Sequence, residues 1–330
     1  MTDEHTHDTL KFSDAQMNDP KLQAILARTE AIVNDALAAC EAENFGKAIG
    51  LWTQIIDTPE LPAVAKIPAY FNRAVTKGEM GDLEGEVADY THVIDAEEAT
   101  SSERAQACVN RGRSKGESGD IEGEIADYTL VIEMDGAPAE EKASAYFNRG
   151  LARGAMDDND GEMQDYTAVI EMPDAAPEQR ADAYFNRGSE KARAGDLEGS
   201  LADYVAVTDM PEAEEDQLTL AYSEQGWIHY FQGQFKESIA QSQKAIELNP
   251  DYPIAHNHLA LALIASGQGE LGLLEYKSML ELIEDPNELG ETCLGDLMEA
   301  IDKYPDIQEF KTALELAVTK MEELDAEAPK

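Results

Sequence analysis

The stretch AYFNRG occupies residues 145–150, returns letter for letter at 183–188 and stands as AYFNRA at 69–74, so the copies begin at multiples of 38 from one another. A fixed period of this length marks a chain built from one repeated supersecondary unit. Arg73, Arg111, Arg149 and Arg187 keep the same register, and so do Tyr90, Tyr128, Tyr166 and Tyr204. A shift of 38 back from GDLEG at 81–85 reaches ENFGK, which puts Phe45 under Leu83 and Trp52 under Tyr90. The same shift forward from AGDLEG at 194–199 reaches QGQFKE, with Phe235 under Leu197. A last unit follows after 34 residues, aligning Gly267 with Gly233 and Tyr276 with Ser242. Seven units result.

Each unit reads as two amphipathic helices joined by a Gly-Asp turn. In the fourth, Tyr146, Phe147, Gly150 and Leu151 recur at helical spacing, DDNDG interrupts the pattern, and Met163, Tyr166, Val169 and Ile170 resume it. Two helices of this size cannot bury both apolar faces alone, whereas stacked neighbours can.

AYSEQGWIHYFQGQFKESIAQSQKAIELNPDY at 221–252 resembles a tetratricopeptide repeat, with Gly226, Tyr230, Gly233, Phe235, Ala245 and Pro250 at that family's positions. The similarity extends more loosely over residues 28–284, as a bacterial-type array of mostly 38-residue units. It implies an all-α, right-handed superhelical solenoid of helix-turn-helix repeats, and is nearly silent on function. Two departures stand out. Glu86, Glu124 and Glu162 replace the small residue usual early in the second helix, and a four-residue insertion mostly replaces the closing proline. The inserted stretches ATSSERAQ, GAPAEEKAS and AAPEQRAD carry capping Ser or Thr, first-turn Pro and first-turn Glu. They predict one extra turn at the start of each first helix, and a superhelical pitch unlike that of 34-residue arrays.

Two columns separate structure from function. Wherever the first helix has Arg73, Arg111, Arg149 or Arg187, the second has Asp89, Asp127, Asp165 or Asp203; units with Asp35, Gln225 and Leu259 have Leu51, Gln241 and Glu275 instead. Either these pairs clamp helix to helix, or duplication copied both residues without a contact between them. One residue before the arginine column stands Asn34, Asn72, Asn110, Asn148 and Asn186. The resemblance implies that this part of the first helix faces a groove, where an amide can donate to and accept from an extended ligand backbone; the alternative is an asparagine bonded to its own scaffold. Phe71, Phe147, Phe185, Trp227, Tyr230 and Phe231 flank the column. Tyr146 and Tyr184 read as core, while Trp227, Tyr230 and Phe231 crowd one helix and read as a ligand platform.

With 25 Lys and Arg against 68 Asp and Glu, the 330-residue chain carries a formal charge of −43, and 43% apolar composition suffices for a core. A field of that sign repels phosphate backbones and anionic lipid, so neither nucleic acid nor a membrane is an expected partner. The acidity suits either a solvated, salt-adapted surface or a basic partner. Cys40, Cys108 and Cys293 form no CxxC pair, and MTDEHTHDTLKF lacks a signal-peptide pattern, so the expected address is the cytoplasm.

Catalytic and ligand motifs fail on context. GQGELG at 267–272 follows a helix instead of a strand. DDNDG at 157–161 has Met156 and Thr167 where a calcium loop needs acidic ligands. His5 and His7 lie in a polar tail, His256 and His258 point to different faces, and Cys108 shares the column of Tyr70, Tyr146 and Tyr184. No enzyme, cofactor, metal or small-molecule substrate is expected. The expected layout is a disordered tail at 1–18, seven repeats over 19–284, capping helices over 285–323 split by Tyr304-Pro305-Asp306, and a frayed tail at 324–330. The expected role is a protein-interaction scaffold, a monomer by preference, holding an extended peptide or partner helix. A self-assembling solenoid, or an accessory subunit of an enzyme encoded elsewhere, is the alternative.

Overall fold

The computed structural model describes residues 20–284 and 289–327, and among them all regular structure is helical. The expected tail at 1–18 and residues 328–330 lie outside the described residues. The chain divides into two units, Met1–Ala175 and Ala176–Lys330. Each is an all-α file of helical hairpins stacked on their neighbours.

In the first unit the hairpins are α1 (Pro20–Glu41) with α2 (Phe45–Ile56), α3 (Ala63–Gly78) with α4 (Leu83–Asp95), α5 (Ser101–Glu117) with α6 (Ile121–Glu133), and α7 (Ala139–Gly154) with α8 (Asn159–Glu171). In the second they are α9 (Pro177–Arg193) with α10 (Leu197–Thr208), α11 (Glu215–Phe231) with α12 (Phe235–Leu248), and α13 (Pro253–Ala265) with α14 (Gly269–Leu282). A π-helical turn at Leu289–Cys293 leads to α15 (Leu294–Lys303) and α16 (Gln308–Glu327).

The Gly-Asp turn works through two residues. Gly81, Gly119, Gly195, Gly233 and Gly267 adopt φ between 72° and 87°, the left-handed region that ends a helix cheaply only without a Cβ. The next residue, Asp82, Asp120, Asp158 or Asp196, accepts a backbone N–H three residues on and caps the second helix. Glu43 (φ 54°) and Asp157 (φ 61°) fill the glycine slot in two hairpins at a steric cost.

The tyrosine column is core: Tyr90, Tyr128, Tyr166 and Tyr204 are buried, with Trp52 and Tyr276 in the same register. Each first helix supplies a small residue opposite. A Cβ added at Gly150 would stand 2.9 Å from Tyr166 Cε1, so helix and ring touch because the position has no side chain.

The insertion lengthens the first helix. α5 and α9 have 17 residues where α13, in the 34-residue unit, has 13, a difference of about one turn. Thr100 caps α5 through a box with Glu103, and Pro177 opens α9.

The end of the second unit is covered by helices outside the repeat pattern. Leu297, Ala300, Phe310, Ala313 and Ala317 join Tyr276, Met279 and Leu280 in one buried cluster. α16 runs to Glu327, and its Met321 and Leu324 pack on that cluster.

Candidate functional site

The Arg and Asp columns meet as bidentate forks. Arg73 Nε and Nη2 donate to Asp89 at 2.8 and 2.7 Å. Arg111 holds Asp127 at 2.8 and 2.7 Å, Arg149 holds Asp165 at 2.9 and 2.7 Å, and Arg187 holds Asp203 at 2.9 and 2.7 Å. The third arm crosses between hairpins: Nη1 of Arg73, Arg111 and Arg149 donates to Thr53, Thr91 and Thr129 of the preceding second helix, at 2.9, 3.0 and 3.0 Å.

Each aspartate also takes a second cation, from Lys77, Lys115, Arg153 or Lys191, at 2.7–2.9 Å. Burial would raise the Asp89 carboxyl, but the bonds from Arg73 and Lys77 outweigh it and hold it below the ordinary range. Tyr70, Tyr146 and Tyr184 lie 5.5 Å under the guanidiniums of Arg73, Arg149 and Arg187. Tyr146 and Tyr184 are therefore half-buried stacking partners, where the sequence suggested full core. The column's arginines thus make their main bonds inside the stack, with side chains 11–16% exposed.

The asparagine column divides. Asn72 and Asn186 donate to Pro68 and Asp182 carbonyls of their own helices, both at 2.8 Å. Asn34 is exposed, and Asn110 and Asn148 are half-buried. Three residues after it, on the same helical face, lies a column that includes Leu37, Val75 and Leu151, which are 44%, 40% and 45% exposed. The third and fifth members of that column are Arg113, whose side chain is 63% exposed, and Ser189, so the column mixes apolar and polar side chains.

Phe71, Phe147 and Phe185 are half-buried against Tyr90, Tyr166 and Tyr204 at 5.3–5.5 Å between centroids. Trp227 stacks on His258 at 4.9 Å and meets Phe231 edge-on at 4.6 Å; both rings are half-buried. Tyr230 corrects the sequence reading: it is 1% exposed and belongs to the core. Tyr304, just past α15, closes on its ring, a contact that no repeat register reveals.

In the second unit a cleft of about 660 Å³ opens between α9 and α11, walled by Phe185, Ser189, Glu224, Trp227 and Phe231. Glu224 escaped notice in the sequence, yet it stands 38 residues after Asn186, in the asparagine register itself. In the first unit a smaller cavity of about 420 Å³ is lined by Val75, Glu79, Glu86, Arg113 and Glu117. Glu86 is buried beneath Gly78, where an added Cβ would stand 2.8 Å from its carboxylate. The Glu124 carboxylate accepts from Tyr128 at 3.2 Å. Burial raises both carboxyls above the usual glutamate range.

Gly267 and Asp157 both lie in turns between helices. His256 bonds Glu275 and the Pro250 carbonyl, His258 sits beside Ser223 and Asp296, and burial pushes the Cys108 thiol up to about 11. Among the described residues no three His, Cys, Asp or Glu side chains converge as metal ligands. None of their helices is long and apolar enough to cross a membrane.

A profile of the TPR repeat matches residues 226–267. Among solved structures, the C-terminal part of a TPR repeat-containing protein from Cytophaga hutchinsonii aligns at 15% identity with a TM-score of 0.54, over 78% of this chain and 96% of that one. A tetratricopeptide repeat protein from Parabacteroides merdae aligns at 14% identity with a TM-score of 0.51, over 77% of this chain and 93% of that one. The chain therefore carries a TPR repeat at 226–267 and shares the fold of these repeat proteins. No curated protein matches the chain. At these identities the likeness is one of fold, so what this chain does has to be argued from its own side chains.

Proposed function

We propose that this chain is a protein-interaction scaffold that holds an extended peptide or a partner helix against its first helices. The observation that carries the reading is the exposure of Leu37, Val75 and Leu151 beside Asn34, Asn72 and Asn148. Apolar side chains exposed at the first, second and fourth of these equivalent positions, with Arg113 at the third, suit the anchors of a bound chain, and an amide beside each serves its backbone. The arginine ladder ties the scaffold together and is largely buried, which leaves this face as the more accessible one. Residues 19–284 act as the binding array and 285–323 as its cap. A net charge of −43 opposes self-association and favours a monomer. Cys40 and Cys108 form no disulfide, in keeping with a cytoplasmic address, and no catalytic role is assigned.

The test is selection of displayed random peptides on the purified chain. Enriched peptides should bind the Asn110→Ala/Asn148→Ala variant at least about tenfold more weakly at unchanged melting temperature, the loss of one or two good hydrogen bonds. No enrichment, or equal binding by the variant, contradicts the reading.

A further inference from the structure

The asparagine register changes chemistry where it reaches the cleft. Asn186 is followed, 38 residues on, by Glu224, and 34 further by His258. On α11, Glu224, Trp227, Ile228 and Phe231 recur at three- and four-residue spacing, so one helical face presents a carboxylate and then two aromatic rings. The facing wall, on α9, brings Phe185 and Ser189, with Tyr204 of α10 behind. We infer that this cleft is a cation-recognition pocket that takes the Lys or Arg side chain of a basic protein segment, with Glu224 as counter-charge and Trp227, Phe231 and Phe185 as the aromatic walls.

Four observations select a cation. The ring faces carry negative potential and attract an ammonium or guanidinium placed over them. No lysine or arginine is paired with Glu224 among the described residues; its titratable neighbours are His258, which favours its ionised form, and Asp296, which opposes it, and these two lie 3.5 Å apart. Burial holds its carboxyl above the ordinary range, and an incoming positive charge restores the ionised form. Arg193, the one basic residue in the lining, is already committed to Glu190.

The aromatic cluster also holds an ammonium of its own. Lys303 Nζ lies 5.1 Å from the Phe231 centroid, 5.7 Å from Tyr230 and 5.6 Å from Tyr304, and donates to the Phe231 carbonyl at 2.7 Å. Lys303 itself does not line the cleft. At −43 the whole chain draws basic segments and repels acidic ones, which settles the sign of the partner.

The inference rests on the scaffold reading for its partner, but its test does not. In the intact chain, Trp227 reports on the cleft through its indole N–H resonance, and Trp52, buried in the other unit, serves as the silent reference. N-acetyl-lysine methylamide and its neutral counterpart N-acetyl-norleucine methylamide are titrated at physiological salt. The lysine derivative should shift the Trp227 signal at roughly tenfold lower concentration. Glu224→Gln should erase that preference, and Phe231→Leu should weaken it with the fold kept, as judged by circular dichroism. If Glu224→Gln does not fold, the lysine-to-norleucine comparison in the wild-type chain decides. Equal response to both compounds, no Trp227 response, or a lysine preference that survives Glu224→Gln overturns the pocket. A lysine-selective Trp227 in a chain that selects no peptides would discard the scaffold and keep the pocket. Selected peptides without basic residues, with an indifferent Trp227, would do the reverse.

Discussion

Arg149 grips Asp165 through two nitrogens, Nε at 2.9 Å and Nη2 at 2.7 Å, while its third nitrogen reaches Thr129 in the preceding hairpin. One side chain therefore ties two helices of its own hairpin together and attaches the pair to its neighbour. The carboxylate side chain is 3% exposed and the guanidinium 11%, so solvent does little to screen the pair.

Removing one partner of such a pair strands a charge. Arg149→Ala should destabilise the chain by about 3 kcal/mol, the lower end for a broken buried pair, because Arg153 still holds Asp165 at 2.8 Å. Replacing both residues by apolar ones, Arg149→Met/Asp165→Leu, should cost less than the single change. Chemical denaturation checks this; a single variant within about 0.5 kcal/mol of wild type contradicts the clamp.

Glu43 holds the left-handed position that glycine fills in most other hairpins. Glu43→Gly should stabilise by up to about 1 kcal/mol, since the strain outweighs the added chain entropy of glycine. The converse, Gly150→Ala, places a methyl 2.9 Å from Tyr166 and should destabilise by roughly 1–3 kcal/mol. Thermal melts of both variants read the two signs.

The repeat columns made much of this legible. Gly-Asp turns, the extra turn of α5 and α9, and the pairing of Arg149 with Asp165 all follow from residues that recur at one spacing, because a contact repeated in every hairpin must leave a repeated residue. Lys77, Lys115, Arg153 and Lys191 form such a column too, four residues after each arginine, and the signal was there to be taken. Tyr230 was not legible in this way, since its cover comes from Tyr304, which belongs to no repeat. The cleft escaped for a related reason: Glu224 breaks its column, and a search for constancy passes over the positions that change.

Stability should depend on pH with an optimum on the acid side of neutral. The folded-state values of Glu86 and Glu124 are raised, so their contribution is present below the unfolded value of about 4.3 and is lost as pH rises through the folded one. Asp89 is lowered in the folded state, so its contribution is present above about 3.9 and is lost as pH falls through its folded value. The melting temperature at about pH 5 should exceed that at about pH 8, and Glu86→Gln/Glu124→Gln should raise the pH 8 value and narrow the gap. A chain at least as stable at pH 8 as at pH 5 would contradict the assignment.

Charge repulsion supplies a separate handle. With −43 on the chain and a screening length of about 8 Å at physiological salt, added NaCl should raise the melting temperature. A melting temperature that stays flat or falls from low to high salt would show that repulsion does not limit stability.

The scaffold claim is tested most directly by hydrogen exchange on the chain with and without a selected peptide. The account predicts that protection gained on binding is concentrated in the first helices α1, α3, α5, α7, α9 and α11, with the second helices unchanged. Protection confined to second helices, or to residues 294–327, would place the partner elsewhere and contradict it.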